Sequence, residues 1–144
     1  MQKDREPLVV VAGAKAAWSR RRHLKLADLM VATWTLPPPQ SLYGGVVAEA
    51  FRSEGLEVPG ATVFTSVTAV RNALLATGRF LSIVQGSVVR FNFLAPQLKV
   101  LPIALPTTRR PIAAITLRGR TLSPPARLFI DCARKMARQL PRRE

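Results

Sequence analysis

One segment, Thr62–Val84, constrains the fold of this chain more than any other, because it carries three structural signals in succession. It opens on the apolar pair Val63–Phe64, and β-prone residues of this kind predict a strand. Apolar residues then recur at helical spacing until Gly78, where a helix commonly ends in a left-handed residue. The helical repeat consists of Val67, Val70 and Leu74. An apolar run follows and predicts a second strand, and so short a crossover favours parallel strands with a right-handed connection.

The polar turn inside this segment, Thr65–Ser66, is a candidate ligand site. Both side chains are good helix caps, so we expect them at the end of a strand and the beginning of a helix. Open α/β sheets bind small, often anionic ligands at such places, because free backbone N–H groups and the helix dipole converge there. A structural cap without a ligand is the alternative interpretation of the same hydroxyl groups.

Similar local signals predict the rest of the secondary structure. The further predicted strands are Leu8–Ala12, Trp34–Leu36, Leu98–Leu101 and Pro111–Leu117. The further predicted helical segments are a turn at Leu24–Met30 with Leu26 and Leu29 facing inward, a helix from Ser41 to Glu54, a short one at Ser87–Phe91, and a final helix that begins at Ser123. Alternation of strands and helices indicates an α/β layered domain with a mainly parallel sheet.

The two longest helices have predicted inward faces. After the cap Ser41 the face consists of Leu42, Val46, Ala50 and Phe51. Gly44–Gly45 are weak helix formers there, and they either loosen the first turn or allow a close approach of the backbone. The apolar stripe of the final helix consists of Leu128, Phe129, Cys132, Met136 and Leu140. Its position on this stripe predicts a buried, inert thiol for Cys132.

Length and charge limit the class of protein. A chain of 144 residues has the size of one domain. Lys and Arg total 22 against 8 Asp and Glu, a net charge of +14, which raises the question of nucleic acid as a partner. The basic residues are spread in short groups, so we favour a solvated surface. No apolar run approaches the roughly 20 residues that span a bilayer, and we expect a cytoplasmic protein with no membrane partner.

Catalytic and metal chemistry have little support in the sequence. The chain has one cysteine, Cys132, and one histidine, His23, which do not provide a zinc site without clustered carboxylates. Its acidic residues are dispersed, and phosphate-binding glycine loops and a nucleophile elbow are absent. We therefore expect no enzyme, no cofactor and no metal, with His23 in a solvated loop and Trp18 and Trp34 filling core or interface gaps.

Five phrases in order along the chain resemble the effector-binding domain of LysR-type transcriptional regulators. They are LADL at Leu26–Leu29, LPPPQS at Leu36–Ser41, FRSEGLEVP at Phe51–Pro59, the segment Thr62–Val84, and LRGRTLSPPARLFIDCAR at Leu117–Arg134. The chain departs from the family pattern in that no helix-turn-helix and most of the first of the two lobes of that domain are absent. A smaller departure is Arg79–Phe80 after Gly78, where the family often has a second glycine.

The resemblance implies a Rossmann-like layered sheet with helices on both faces, similar to one lobe of a type II periplasmic-binding-protein-like domain. Residues 1–144 would be a partial effector-binding domain, with the second lobe at about 13–105 and returning strands and a final helix at about 106–140. It also implies an effector between the lobes, at three loops on strand ends. Carried over by position, the effector-binding residues are Pro39, Gln40, Ser41, Thr65, Ser66, Val67, Val84 and Gln85.

The primary hypothesis is an effector-sensing fragment of a LysR-type regulator that binds a small anionic molecule and couples it to dimer arrangement. Its expected partners are the effector, further copies of the protein, and DNA only through a helix-turn-helix that these residues lack. Two alternatives stay open. One is a stand-alone interaction protein that dimerises through apolar surfaces, and the other is a small basic nucleic-acid-binding protein.

Overall fold

The computed structural model describes residues 5–60, 62–91, 97–111 and 113–139. Contacts between residues divide these into two compact units. The larger unit is Glu6–Arg110, and the smaller one contains Arg5 and the described residues from Pro111 onward. Two short strands, β1 (Arg5–Glu6) and β7 (Arg110–Pro111), lie where the chain passes from one unit to the other. No helix within the described ranges is long and apolar enough to cross a bilayer.

The larger unit is built on a five-stranded sheet in the order β4-β3-β5-β2-β6. These strands are β2 (Leu8–Gly13), β3 (Thr33–Leu36), β4 (Thr62–Phe64), β5 (Phe80–Gln85) and β6 (Leu98–Val100). Strand β3 is parallel to both β4 and β5, and β2 is antiparallel to both β5 and β6. The expected mainly parallel sheet is therefore mixed, because apolar periodicity predicts a strand but not the direction of its neighbour.

Strand β3 separates the two strands of the central segment. Strands β4 and β5 point the same way, as the short crossover predicted, but each pairs with β3 and not with the other. The helix between them, α2 (Thr68–Ala76), ends before Gly78, whose φ of 74° is the left-handed conformation predicted for this stop. The segment therefore spans three strand positions of the sheet.

Helices cover both faces of this sheet, as the α/β layered prediction required. On one face, Val10 and Ile83 belong to a core cluster that includes Ala50 and Phe51 of α1 (Leu42–Ser53). On the other face, Val11 and Val84 pack with Leu75 of α2, and Val89 of α3 (Gly86–Phe91) joins them. The two clusters alternate along β2 and β5 because successive side chains of a strand point to opposite faces.

The centre of the larger cluster is an aromatic pair. The rings of Trp34 and Phe51 meet edge to face, with centroids 5.4 Å apart and planes at 80°. Both side chains are fully buried. The Trp34 indole Nε1–H donates to the backbone O of Leu29 at 3.0 Å, so the polar atom of the ring is satisfied. Leu26 and Leu29 are both buried in a 3₁₀ turn, which confirms the predicted inward face of that segment.

The predicted inward face of α1 is confirmed in part, since Ala50 and Phe51 are buried and Val46 packs against the core. Leu42 is 83% exposed, and Val47 lies in the core in its place. In the central segment Val67 and Val70 are exposed, and Leu75 is the buried residue of α2. Helical spacing allows overlapping apolar faces on a single helix, and docking against the sheet selects one of them.

The smaller unit consists mainly of α4 (Pro124–Gln139), which begins after Ser123 as predicted. The strand expected at Pro111–Leu117 is wrong beyond its first residue, since Pro111 belongs to β7. Residues 113–117 have no regular structure, and 112 lies outside the described residues. Ile115 is 95% exposed, and a segment without a ladder partner gains nothing from the β-prone side chains it carries.

The apolar stripe of α4 is exposed in the described residues. Leu128, Phe129 and Met136 are more than half exposed, and Leu140 lies outside the described residues. The thiol of Cys132 is exposed as well, so the prediction of a buried cysteine is wrong. The helical repeat identified the face correctly as apolar, but burial depends on a covering surface that periodicity does not specify.

Thr35 carries a buried polar atom that lacks a partner. The residue is fully buried, and its Oγ1 has no hydrogen-bond partner within the described part of the chain. We expect Thr35→Val to raise the free energy of unfolding by about 1 kcal/mol, because it removes an unsatisfied hydroxyl at nearly constant shape. Urea denaturation measures this difference.

The matched control is Ser82→Ala. The Ser82 hydroxyl donates to the backbone O of Thr35 at 2.7 Å, and Ser82 is also fully buried. Its removal breaks a hydrogen bond, so the free energy of unfolding is expected to fall by about 1 kcal/mol. Equal destabilisation by both variants would show that the Thr35 hydroxyl is satisfied in solution.

Candidate functional site

A cavity of about 350 Å³ lies within the larger unit, at the ends of β3, β4 and β5. This volume is in the range of small-molecule sites. Its lining includes residues from all three loops for which the sequence predicted a ligand. The predicted residues that line it are Ser41, Thr65, Ser66, Val67, Val84 and Gln85.

Two predicted site residues, Pro39 and Gln40, do not line this cavity. Both are exposed in the turn before α1. The turn is closed by the Ser41 N–H, which donates to the backbone O of Pro38 at 2.9 Å. A closed turn presents its two central residues outward, so only its last residue, Ser41, reaches the cavity.

Ser41 is the N-cap of α1, as predicted. Its Oγ accepts from the Gly44 N–H at 3.0 Å and donates to the Pro38 backbone O at 2.7 Å. The hydroxyl hydrogen is therefore committed to the protein, and the position of the side chain is set by two contacts on the cavity rim. Ser41 can offer a ligand an acceptor lone pair, but it gives up a structural bond if it donates.

The Thr65–Ser66 turn differs from the predicted pair of caps. The N-cap position of α2 is Val67, and no side chain caps it. The Thr65 Oγ1 accepts from the Val67 N–H at 3.0 Å, and the Thr65 N–H donates to the Leu36 backbone O at 2.9 Å. Thr65 thus holds the loop against the end of β3, while Ser66 lies on the cavity lining, two residues before the helix begins.

A side-chain contact links β5 to α1 at the cavity. The Gln85 Nε2–H donates to the hydroxyl oxygen of Tyr43, and both residues line the cavity. Gln85 was predicted as a site residue, and Tyr43 was missed. Tyr43 follows the predicted residue Ser41 by two positions, but only the docking of α1 brings its ring to β5.

Arg71 is the charged residue of the described lining, and the sequence prediction missed it. The side chain is half-buried, and desolvation lowers the pKa of its guanidinium. Its Nε and Nη2 each lie 3.4 Å from the Asn72 Oδ1, which is a long hydrogen-bond distance. One signal for it was available, since Arg71 follows the predicted residue Val67 by four positions and so lies on the same helix face.

The described lining of the cavity combines hydrogen-bonding groups with apolar side chains. This described lining offers hydroxyl groups, one amide and one guanidinium beside apolar side chains, and it includes no carboxylate, imidazole or thiol. No group of three or more metal-ligating side chains occurs in the described ranges. The arrangement can hold a ligand by hydrogen bonds, charge and apolar contact, and it presents no side chain typical of a general base.

Comparisons with known proteins agree on one family. The model of the LysR substrate binding domain matches residues 4–138. The HTH-type transcriptional regulator GalR of Pseudomonas putida is 29% identical over 135 residues, which are 91% of this chain and 34% of GalR. The chain therefore spans about a third of the length of this relative.

Two solved structures show the same fold. The regulatory domain of Synechocystis PCC6803 CcmR, in complex with 2-PG, superposes with a TM-score of 0.76 at 18% identity, covering 98% of this chain and 68% of that one. The effector-binding domain of QuiR, in complex with shikimate, gives a TM-score of 0.68 at 20% identity, covering 95% of this chain and 64% of that one. At these identities the likeness concerns the fold alone.

Proposed function

This chain belongs to the LysR substrate binding domain family, and we propose that it is the effector-sensing part of a LysR-type transcription regulator. The observation that carries the proposal is the cavity in the larger unit, where loops from three strand ends converge on a volume suited to a small molecule. The family match also confirms the resemblance that the five sequence phrases indicated.

The proposal includes an assignment of the chain to parts of that domain. Residues of about 13–105 would form the second lobe, and about 106–140 the returning strands and the closing helix. The larger compact unit, Glu6–Arg110, ends close to the proposed end of the second lobe at about residue 105, and this supports a division there. DNA contact would belong to a helix-turn-helix outside these 144 residues, since GalR is a HTH-type regulator of which this chain matches about a third.

The proposed ligand is a small anionic molecule. The positive charge of Arg71 on the lining favours an anion, and shikimate, the molecule bound to QuiR, is a carboxylate. The residues proposed to contact it are the six predicted ones on the lining, with Pro39 and Gln40 kept as predicted neighbours on the same turn. We propose binding without catalysis, because the described lining has no carboxylate, imidazole or thiol that could activate its hydroxyl groups. We also propose a cytoplasmic location.

An amide chemical-shift titration of the full chain tests the proposal. The probes are shikimate and a panel of small carboxylates, each paired with its neutral amide. We expect saturable shifts at the amides of Thr65–Val67 and Gln85, and none at Glu49 and Arg52 on the exposed face of α1. If every probe leaves the cavity amides unmoved, the effector-binding proposal is wrong for this chain.

The proposal also includes a homo-oligomer whose arrangement responds to the effector, since a ligand shifts the balance between states that it binds differently. Strand β4 is one of the two edge strands of the sheet, and its Val63 and Phe64 are 40% and 48% exposed. An apolar edge of this kind is a surface for pairing with another chain. Light scattering with and without a bound probe tests this part. A stand-alone dimerising protein, the alternative, would show an assembly that is indifferent to every probe.

A further inference from the structure

We propose that Arg71 determines the specificity of this cavity, by pairing with one carboxylate or phosphate-type oxyanion on an effector whose remaining part is largely apolar. This inference rests on the proposed function and goes further, because it names the residue that selects the ligand and the chemical class selected. Arg71 is not among the effector-binding residues that the family resemblance implied.

The charge balance of the cavity carries the first step. The described lining has two ionisable side chains, Arg71 and Tyr43. Of these, Arg71 carries the charge, because a phenol is ordinarily neutral at neutral pH. The ion pairs in the described residues are Arg52 with Glu49 and Arg134 with Asp131, both on exposed helix surfaces. Arg71 therefore brings a positive charge to the cavity that no acidic side chain of the described residues neutralises.

Burial makes that charge unfavourable without a ligand. The side chain is half-buried, and the loss of hydration lowers the pKa of the guanidinium, although arginine stays protonated at neutral pH. An anion that enters the cavity compensates for the lost hydration by pairing with this charge, whereas a neutral ligand can offer only weaker hydrogen bonds. A neutral ligand of equal shape covers the half-buried cation without giving it an opposite charge.

The geometry of the guanidinium limits the kind of anion. Its protein partner, Asn72 Oδ1, lies 3.4 Å from both Nε and Nη2, so the pair of N–H groups is held at the long end of hydrogen bonding. A planar fork of this kind matches two oxygens of a carboxylate or a phosphate group. A ligand anion would compete with the weak contact to Asn72 for these N–H groups.

The rest of the lining describes the other end of the ligand. It includes three apolar side chains, Leu8 of β2, Val47 of α1 and Ile83 of β5. On the same lining the Tyr43 hydroxyl accepts from Gln85, which leaves its hydrogen free to donate to one acceptor on the ligand. The cavity thus fits a compact apolar body with one anionic group and one further polar atom.

The test compares a charged probe with its neutral isostere on the full chain. Benzoate and benzamide have the same ring and nearly the same volume, and they differ by one charge. Amide chemical-shift titration is run on the wild type, on Arg71→Gln and Arg71→Lys, and on Arg79→Gln as a matched control. Arg79 is an exposed arginine just beyond the end of α2 that does not line the cavity.

We expect benzoate to bind the wild type and Arg79→Gln alike, and to bind Arg71→Gln about 10- to 100-fold more weakly, the usual effect of one charged hydrogen-bonded contact. Arg71→Lys is expected to lie between them, because it keeps the charge and loses the fork. Benzamide should bind the wild type far more weakly than benzoate, and Arg71→Gln should reduce that difference to nearly nothing. Thermal unfolding of the free proteins checks that each variant folds.

The outcomes separate this inference from the function it rests on. If benzamide binds the cavity as well as benzoate, or if Arg71→Gln binds benzoate as tightly as the wild type, Arg71 is not the selective residue, while effector binding stands. If neither probe nor any member of the carboxylate panel moves the cavity amides, effector binding itself is refuted, and the role of Arg71 falls with it. If Arg71→Gln unfolds, Arg71→Lys and the benzoate-to-benzamide ratio of the wild type decide the question.

Discussion

Gly44→Ala is expected to lower the free energy of unfolding of this protein by about 3 kcal/mol, because the added methyl group has no room. A Cβ at Gly44 would lie 1.9 Å from the backbone O of Pro38 and 2.9 Å from the Cα of Pro39. Both obstacles are backbone atoms of a turn that is closed onto Ser41, so relief requires the turn or the helix to move. Urea denaturation measures the loss.

Gly45→Ala is the matched control for this prediction. Gly45 lies next to Gly44 in the first turns of the same helix, is exposed, and has nothing within 4 Å of an added Cβ. Alanine is the better helix former, so the free energy of unfolding is expected to rise by about 0.5–1 kcal/mol. If the two variants behave alike, the close approach of α1 to the Pro38 turn is wrong.

The same pair of variants bears on the cavity. The Pro38 turn carries Ser41 to the lining, and Gly44 is the residue whose lack of a side chain lets the turn sit against the helix. We expect Gly44→Ala to weaken benzoate binding as well as stability, whereas Gly45→Ala should change only stability. The sequence left open whether these glycines loosen the first turn or allow a close approach of the backbone. Gly44 allows such an approach, and at Gly45 no other part of the chain comes close.

Phe51→Ala is expected to cause the largest loss of stability among the substitutions considered, about 3–5 kcal/mol. Phe51 is fully buried, and its ring packs edge to face on Trp34 at a centroid distance of 5.4 Å. Truncation removes the buried apolar surface and the aromatic pair, and it leaves a cavity that the rigid sheet below cannot fill. Chemical denaturation with matched m-values measures the change.

Phe91→Ala makes the same substitution on a helix whose phenylalanine is 60% exposed. We expect the free energy of unfolding to change by less than about 0.5 kcal/mol, as is usual at surface positions. A large effect at Phe91 together with a small one at Phe51 would mean that the burial of these two side chains is assigned wrongly.

The candidate site shows how far residue patterns reach. Loops at strand ends are recognisable from the sequence, and six of the eight predicted residues line one cavity. Tyr43 and Arg71 also line the cavity and were not predicted. Each lies on a helix, where the direction of a side chain depends on how the helix is rotated against the sheet. Pro39 and Gln40 were assigned to the lining because a sequence does not show that a turn is closed.

Local features were determined by the sequence alone. The Ser41 cap and the left-handed glycines Gly55 and Gly78, with φ of 72° and 74°, depend on residues within a few positions along the chain. Cap chemistry and the lack of a Cβ act at this short range, so they are the same in any tertiary context.

Only the tertiary structure decided which apolar surfaces are buried and which strands are neighbours. Strand β3 lies between β4 and β5, β2 runs against β5, and α2 buries Leu75 while Val67 and Val70 stay exposed. Several pairings and rotations satisfy the same periodic pattern, and the choice between them is made by packing and hydrogen bonding between residues far apart in the chain. The half-buried charge of Arg71 on the cavity wall is a product of that choice, because its place on the lining follows from how α2 docks against the sheet.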